Sequence, residues 1–274
     1  MARFGYYALL LLVAAITLIP ILWAFSSSIR ATEDIFRHAA PLTFRTFVPA
    51  EPTLEAYANL FTKYRFYRPL FNTVWMAALN IAGGLLLNAW AAYAFAKFRF
   101  PGRDLLFAAV LVSILVPFEA VAIPLYGLVR SMGLLDTPYA LLLPALANGL
   151  VIFLFRQFFE AFPDSVMESA RIDGAGWQQI FYKLLVPNTV PVMISAGLLI
   201  FLTQWESFFW PLIAVKQESL LMLQVAVTRF STERSTLWAE VYAASIVSIA
   251  VPALLLLPLQ KYFMNTMTTS GSKE

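Results

Sequence analysis

Long apolar stretches, separated by shorter polar segments, dominate the pattern of this chain. A helix that crosses the hydrocarbon core of a bilayer needs about 20 mostly apolar residues. Soluble helices keep a polar outer face, and the long stretches of this chain lack one. The pattern therefore predicts an all-α polytopic membrane protein, with one transmembrane domain over residues 1–274 and about six spans. The predicted spans are 5–29, 69–96, 105–129, 137–155, 186–215 and 241–262.

The composition supports a membrane protein and excludes several functional classes. Apolar residues make up 60% of the chain and charged residues 13%, whereas soluble domains average roughly 45–50% and about 25%. Cysteine is absent and His38 is the single histidine, which argues against disulfides and a zinc site. The sequence has no P-loop and no metalloprotease or hydrolase motif. We therefore expect neither an enzyme nor a nucleic-acid-binding protein, and no metal in this chain.

The first apolar stretch is expected to remain in the protein as a helix. It is longer than the roughly 7–15 apolar residues of a signal peptide, and the bulky residues Pro20 to Trp23 lie where a cleavage site needs small ones. Six spans place both termini on the same side. Lys and Arg are divided almost evenly between the two sides, and only the short loop 97–104, with three cations, favours a cytoplasmic N-terminus.

A polar segment, residues 160–185, separates the fourth and fifth predicted spans. It is longer than the usual helix connection of about 2–8 residues. Ser165 and Glu168 have the spacing of a capping box, which predicts the start of a helix there, and Gly174 is placed to end that helix in a left-handed conformation. Pro187 should stop or kink the helix that follows. One face of that second helix should carry Trp177, Ile180, Phe181 and Leu184.

The pattern alone leaves two interpretations of this segment open: an element that docks onto a partner, or an amphipathic helix at the membrane surface. The sequence itself favours the first. Glu168-Ser169-Ala170, Gly174 and Leu184-Leu185-Val186-Pro187 resemble the EAA motif of ABC importer permeases in residue type and spacing, with Ser169 in place of the middle alanine. Residues 168–175 are similar to the form that this motif takes in the carbohydrate branch of the family. The similarity to the maltose-type second permease extends over nearly the whole chain.

The resemblance implies a type I ABC importer fold in a bacterial inner membrane, with both termini cytoplasmic and a cytoplasmic coupling helix between spans four and five. The expected partners are a second permease in a heterodimer, two ATPase subunits, an external substrate-binding protein and the lipid bilayer. ATP and magnesium would bind to the ATPases, and this chain would bind no cofactor. The coupling residues implied by the motif are Glu168, Ser169, Ala170, Asp173, Gly174, Ala175 and Pro187.

Polar groups within the predicted spans are candidates for the translocation path. Each has a simpler alternative: an acid paired at the membrane surface, an amide bonded to a neighbouring helix, or a packed tryptophan. The expected function is import of a sugar or sugar-like solute. The alternative is a permease of the same type that imports glycerol phosphate or a related non-sugar solute, and the two intramembrane acids mildly disfavour an anion. A secondary transporter or channel is a remote alternative. The candidate path residues are Glu119, Asn148, Gln204, Trp205 and Glu206.

Overall fold

The computed structural model describes residues 2–41, 43–231 and 236–271. Over these ranges the regular structure is helical, and the strand-like pairing is confined to an isolated bridge between Ser231 and Thr236. The all-α class predicted from the apolar pattern is therefore confirmed.

The helices differ widely in length. A π-helical turn occupies Phe181–Leu185, and a short 3-10 turn occupies Glu218–Leu220. The α-helices, in chain order, are α1 (Ala2–Ser28), α2 (Thr32–Arg37), α3 (Phe44–Phe47), α4 (Glu55–Thr62), α5 (Tyr67–Lys97), α6 (Arg103–Leu115), α7 (Phe118–Ser131), α8 (Pro138–Leu146), α9 (Gly149–Ala161), α10 (Asp164–Ile172), α11 (Trp177–Ile180), α12 (Val186–Asn188), α13 (Val190–Trp205), α14 (Phe209–Ala214), α15 (Leu223–Thr228) and α16 (Trp238–Gly271).

Within the described residues, four helical stretches are long and apolar enough to cross a membrane: Phe4–Ser28, Tyr67–Lys97, Pro138–Ala161 and Trp238–Leu259. Two further pairs of helices pass the same test together but are bent. The bend is 109° between α6 and α7 and 83° between Trp177–Asn188 and α13. Counting each bent pair as one span gives up to six, which is the predicted number.

The third, fourth and fifth predicted spans are interrupted in the structure; in the fourth, Ala147 and Asn148 separate α8 from α9. α6 ends at Leu115 because Pro117, two residues later, has no N–H with which to continue the helix. Pro117 is the N-cap of α7. The fifth predicted span, 186–215, contains α12, α13 and α14 rather than one helix. α13 ends at Trp205, with Glu206 as its C-cap, and two residues separate Glu206 from α14. These interruptions lie in largely apolar sequence, where hydropathy alone does not reveal them.

Contacts divide the chain into two compact units. The first contains residues 1–71 and 222–253, and the second contains residues 72–221 and 254–274. In the first unit, the buried guanidinium of Arg30 connects the end of α1 with α3. It donates to Ser26 Oγ at 3.0 Å and to the carbonyls of Arg45 and Thr46, the latter at 3.2 Å.

The second unit is built around a core contributed by α5, α9, α13 and the segment that follows α9. The largest fully buried side chains here are aromatic, with Tyr93 on α5, Phe155 and Phe159 on α9, and Phe181 on the π-turn. Phe155 stacks on Phe159 at 5.8 Å, and Tyr93 lies 5.3 Å from Phe181 between ring centroids. This core fixes residues 160–185 to the membrane-spanning helices.

Candidate functional site

The predicted coupling segment, 160–185, does form two short helical pieces, but its first helix starts differently from the prediction. α10 begins at Asp164, with Pro163 at its N-cap, so Ser165 lies inside the first turn. The backbone carbonyl of Ser165 accepts a hydrogen bond from Ser169 Oγ at 2.9 Å. The predicted capping box between Ser165 and Glu168 is therefore wrong, because proline already provides the extended residue that starts the helix.

The end of α10 agrees with the prediction. Gly174 has a φ of +86°, in the left-handed region that favours glycine. Its N–H donates to Arg171 O at 3.0 Å, and Ala175 N–H donates to Ala170 O at 2.9 Å. This pair of bonds is a Schellman motif, which satisfies the last carbonyls of the helix and reverses the chain.

The second piece, Trp177–Asn188, buries a slightly different face from the predicted one. Ile180 and Phe181 are buried as predicted, but Leu185 is fully buried while Leu184 is only half-buried. Pro187 cannot donate to the carbonyl of the preceding turn, and Val186 N–H donates instead to Phe181 O, five residues back. The wider π-turn rotates the face by about one residue.

Side chains of α5 hold this coupling segment in place. Lys97 Nζ donates to Phe162 O at 2.8 Å and to Asp164 Oδ1 at 2.6 Å. Tyr93 donates its hydroxyl to Trp177 O at 3.3 Å. The Arg171 guanidinium lies 4.1 Å above the Trp177 ring. Hydrogen bonds and an ion pair therefore attach the segment to the end of α5, and the cation–π contact connects the segment's two helical pieces.

The motif residues divide into an exposed group and a packed group. Ala170 and Ala175 are half-buried and pack against the aromatic core, which explains why small residues occupy these positions. Ile172 is 86% exposed at the end of α10, an unusual setting for a large apolar side chain. The segment thus presents carboxylates and an apolar side chain beside its turn. The exposed motif residues are Glu168, Ser169, Asp173, Gly174 and Pro187.

A cavity of about 550 Å³ lies among α5, α7, α8, α13 and α14 of the second unit. Four of the five predicted path residues line it: Glu119, Asn148, Gln204 and Glu206. The remaining one, Trp205, is not among the lining residues; it is buried and stacks on Phe201 at 5.3 Å. The other polar lining side chains are Asn80, Thr203 and Ser207, and the aromatic ones are Phe118, Phe208, Phe209 and Trp210.

A pair of buried amides forms one wall of this cavity. Asn80 Nδ2 donates to Gln204 Oε1 at 2.8 Å, and the two side chains are 0% and 7% exposed. The Oδ1 atom of Asn80 has no hydrogen-bond partner within the described chain. The wall therefore contains a buried acceptor that is free to receive a donor.

Asn148 has two roles at this site. It lines the cavity, and its side-chain oxygen caps α9 by accepting from the N–H groups of Leu150 and Val151 at 3.0 and 3.2 Å. Asn88 on α5 supports the same break. It accepts from Asn148 N–H at 2.9 Å and donates to Leu146 O at 2.8 Å. The groups freed where α8 gives way to α9 are thus bonded, as an apolar membrane requires.

The carboxylates lie at the helix ends that the interruptions create. Glu119 is in the first turn of α7, just after Pro117, and Glu206 is the C-cap of α13. Trp210 is held by its indole N–H, which donates to Ala140 O at 2.9 Å.

Three polar lining residues were not predicted as path residues. Asn80 is an amide within a predicted span and bonds Gln204 on a neighbouring helix, the simpler alternative for such amides, but no sequence pattern indicates that it lines a cavity. Thr203 and Ser207 are the other two. Thr203 lies in the last turn of α13 and Ser207 four residues later, and this spacing is the sequence signal that connects them.

Comparison with known proteins identifies the family. Residues 84–268, more than half of the chain, match the family described as "Binding-protein-dependent transport system inner membrane component". The chain belongs to this family. The permease is 29% identical to the arabinooligosaccharides transport system permease protein AraQ of Halalkalibacterium halodurans, with 95% of this chain and 93% of AraQ covered.

Other relatives transport different solutes, according to their names. The permease is 28% identical to the lactose transport system permease protein LacG of Rhizobium radiobacter, covering 96% of this chain and 94% of LacG. It is also 28% identical to the sn-glycerol-3-phosphate transport system permease protein UgpE of Escherichia coli, covering 96% and 95% of the two chains.

The fold of the permease also matches a solved structure, a bacterial ABC transporter involved in the import of the acidic polysaccharide alginate. The TM-score is 0.82 at 26% sequence identity, with 96% of this chain and 97% of the other covered. Family and fold together place the permease in the inner membrane as a transport subunit.

Proposed function

We propose that this permease is the transmembrane subunit of an ABC importer for a sugar or sugar-like solute, and that its cavity forms part of the path. The observation that carries the proposal is the cavity itself, where carboxylates, amides and hydroxyls lie beside aromatic rings. Sugars offer hydroxyl donors at their edges and apolar ring faces, and sites of this mixed type suit them. The arabinooligosaccharide and lactose permeases among the relatives support the same substrate class.

The coupling segment supports a partner ATPase as the source of energy. Its motif carboxylates and Ile172 are exposed at the turn around Gly174, while its other face is anchored to α5 and α9. A segment with one fixed and one free face is suited to transmit motion from a docked partner to the membrane helices. We assign ATP and magnesium to that partner and the docking contacts to Glu168, Asp173 and Gly174.

The complete importer would contain a second permease, two ATPases and an external binding protein; of these, the family description supports the binding protein. Docking of the coupling segment on the ATPases would place residues 160–185 and both termini in the cytoplasm.

Glycerol phosphate is the second candidate substrate, and the relationship to UgpE favours it. The cavity argues against it, since its ionisable lining groups are the carboxylates of Glu119 and Glu206.

The test is uptake by cells that express the complete importer. Radiolabelled lactose, arabinooligosaccharides and glycerol 3-phosphate would be compared for the wild type and Glu206→Ala, with Glu51→Ala as the control because Glu51 is exposed and lies in the other unit. We expect sugar uptake that falls in Glu206→Ala and is retained in Glu51→Ala. Uptake of none of the sugars, or sugar uptake unaffected by Glu206→Ala, contradicts the proposal.

A further inference from the structure

The charge of the cavity wall is negative. The ionisable side chains among its lining residues are Glu119 and Glu206, and no Lys, Arg or His from the described part of the chain lines it. Neither carboxylate forms an ion pair within 4.0 Å with a residue in the described ranges. The field inside the cavity therefore attracts cations and repels anions.

A second, independent observation concerns the neutral part of the same wall. The side chain of Asn80 is completely buried, and its Oδ1 receives no hydrogen bond from the described residues. Buried acceptors in native proteins nearly always have a donor, so an orphan of this kind calls for an explanation. Asn80 also lines the cavity, and a ligand with hydroxyl or ammonium groups would supply that donor.

Two helix ends act in the opposite direction, because helix N-termini attract anions. The N-terminus of α9 lies at Asn148 and that of α7 at Phe118, and both residues line the cavity. At α7, the carboxylate of Glu119 already lies in the first turn. The Asn148 side chain, however, already accepts from Leu150 N–H and Val151 N–H. Since these donors are taken and the two carboxylates have no cationic partner among the described residues, negative charge dominates.

The geometry points to a subsite for a neutral or amino-bearing sugar ring, which disfavours uronates and sugar phosphates. This inference rests on the proposed function and narrows its substrate class. Sugar hydroxyls or an ammonium group would donate to Asn80 Oδ1 and to the carboxylates of Glu119 and Glu206, while the ring face packs on the aromatic lining. The permease would thus differ from the structurally similar importer, whose substrate is an acidic polysaccharide.

The experiment measures equilibrium binding to the importer in nanodiscs, purified with the subunits that accompany it and without binding protein. The probes are radiolabelled glucose, glucosamine and glucuronate, which share one ring and differ in charge. Because placing like charges together is costly at a binding site, we expect glucuronate to bind about tenfold more weakly than glucose, or weaker still. Glucosamine should bind at least as tightly as glucose.

Variants separate charge from shape. The double variant Glu119→Gln with Glu206→Gln should reduce the difference in affinity between glucuronate and glucose. Glu51→Gln, which removes one exposed carboxylate outside the cavity, should leave that difference unchanged. Asn80→Leu should weaken glucose binding without altering the charge preference. Melting temperatures confirm that each variant is folded.

The outcomes separate the inference from the proposed function. Glucuronate binding as tight as that of glucose overturns the charge inference. A difference in affinity between the two sugars that persists in the double variant also overturns it. Binding of none of the three sugars also overturns the subsite. Sugar uptake by the same importer in proteoliposomes tests the proposed function separately, and it can succeed whether or not the charge inference fails.

Discussion

Lys97 and Asp164 form an ion pair of 2.6 Å that joins the last residue of α5 to the first residue of α10. The two partners are unequal, because the Lys97 side chain is 6% exposed and that of Asp164 is 77% exposed. Lys97 also donates to Phe162 O at 2.8 Å. The nearly buried ammonium group of Lys97 therefore fixes the C-cap of α9, at Phe162, and the first turn of α10, at Asp164.

Replacing Lys97 should loosen the coupling segment. Lys97→Met retains much of the apolar side chain but removes both bonds and leaves the Phe162 carbonyl without this donor. Loss of a buried partner costs about 1–3 kcal/mol of the free energy of unfolding. We expect a lower melting temperature, measured by tryptophan fluorescence in detergent. Lys63→Met, at an exposed position, is the control, and equal melting temperatures for the two variants would show that the ion pair contributes nothing.

Gly174 should be sensitive to substitution for conformational reasons alone. A Cβ added there meets no atom within 4 Å, so the cost comes from its φ of +86°. A residue with a Cβ pays about 1–2 kcal/mol in the left-handed region. Gly174→Ala should therefore lower the melting temperature and reduce the amount of ATPase subunit that is purified with the permease.

Gly176 provides the matched control for that change. A Cβ added at this position also meets no atom within 4 Å, but the φ of Gly176 is −75°. Gly176→Ala should leave the melting temperature unchanged. If the two alanine variants behave alike, the left-handed turn is not the reason for glycine at position 174.

Asn88 should be required for the stability of the second unit. Asn88→Leu removes its bonds to Leu146 O and Asn148 N–H and leaves both backbone groups unbonded in an apolar setting. We expect a loss of about 1–3 kcal/mol in the free energy of unfolding. Asn188→Leu, at an exposed position with one bond to Leu184 O, should cost much less. Thermal denaturation of the two purified variants measures the difference, and similar values would contradict the assigned role.

Asp136 should make one loop contact sensitive to acid. Backbone N–H groups of Lys216 and Gln217 donate to its carboxylate, and these bonds lower the pKa of Asp136 from 3.8. Because the folded pKa is depressed, the contribution to stability is complete above pH 3.8 and is lost as pH falls through the lowered pKa. The protection of the Lys216 and Gln217 amides against hydrogen exchange, after correction for the intrinsic pH dependence of exchange, should therefore fall only in that acidic range.

Asp136→Asn tests this explanation directly. Asparagine tolerates the φ of +61° at this position and still offers an oxygen acceptor, but it does not titrate in this range. The acid-dependent change in exchange at Lys216 and Gln217 should disappear in the variant. A change that persists would assign the acid response to another group.

The sequence predicted the features that depend on local chemistry. The apolar stretches identified the membrane helices, and the motif around Gly174 predicted the left-handed turn, because glycine is the residue that adopts it readily. The interruption at Pro117 was not predicted, since the apolar composition continues across it and proline also occurs inside helices of this chain, such as Pro20 in α1.

The features that the sequence did not predict depend on contacts between residues far apart in the chain. Asn80 and Gln204 are 124 positions apart, and no sequence pattern indicates that their amides meet. Trp205 and Trp210 look equivalent in the sequence. α13 ends between them, so that Trp205 stacks on Phe201 while Trp210 lines the cavity. The prediction for Trp205 depended on the course of the backbone after Glu206, which hydropathy does not encode.

The bonds made by Asn88 have a mechanical consequence for the interrupted fourth span. Bending at the junction of α8 and α9 would separate Asn88 from Leu146 and Asn148 in a medium where water does not replace the lost bonds. The junction should therefore be rigid. Helices α5, α8 and α9 should travel as one block during the transport cycle, and angular change is left to other interruptions, such as the turn at Thr189.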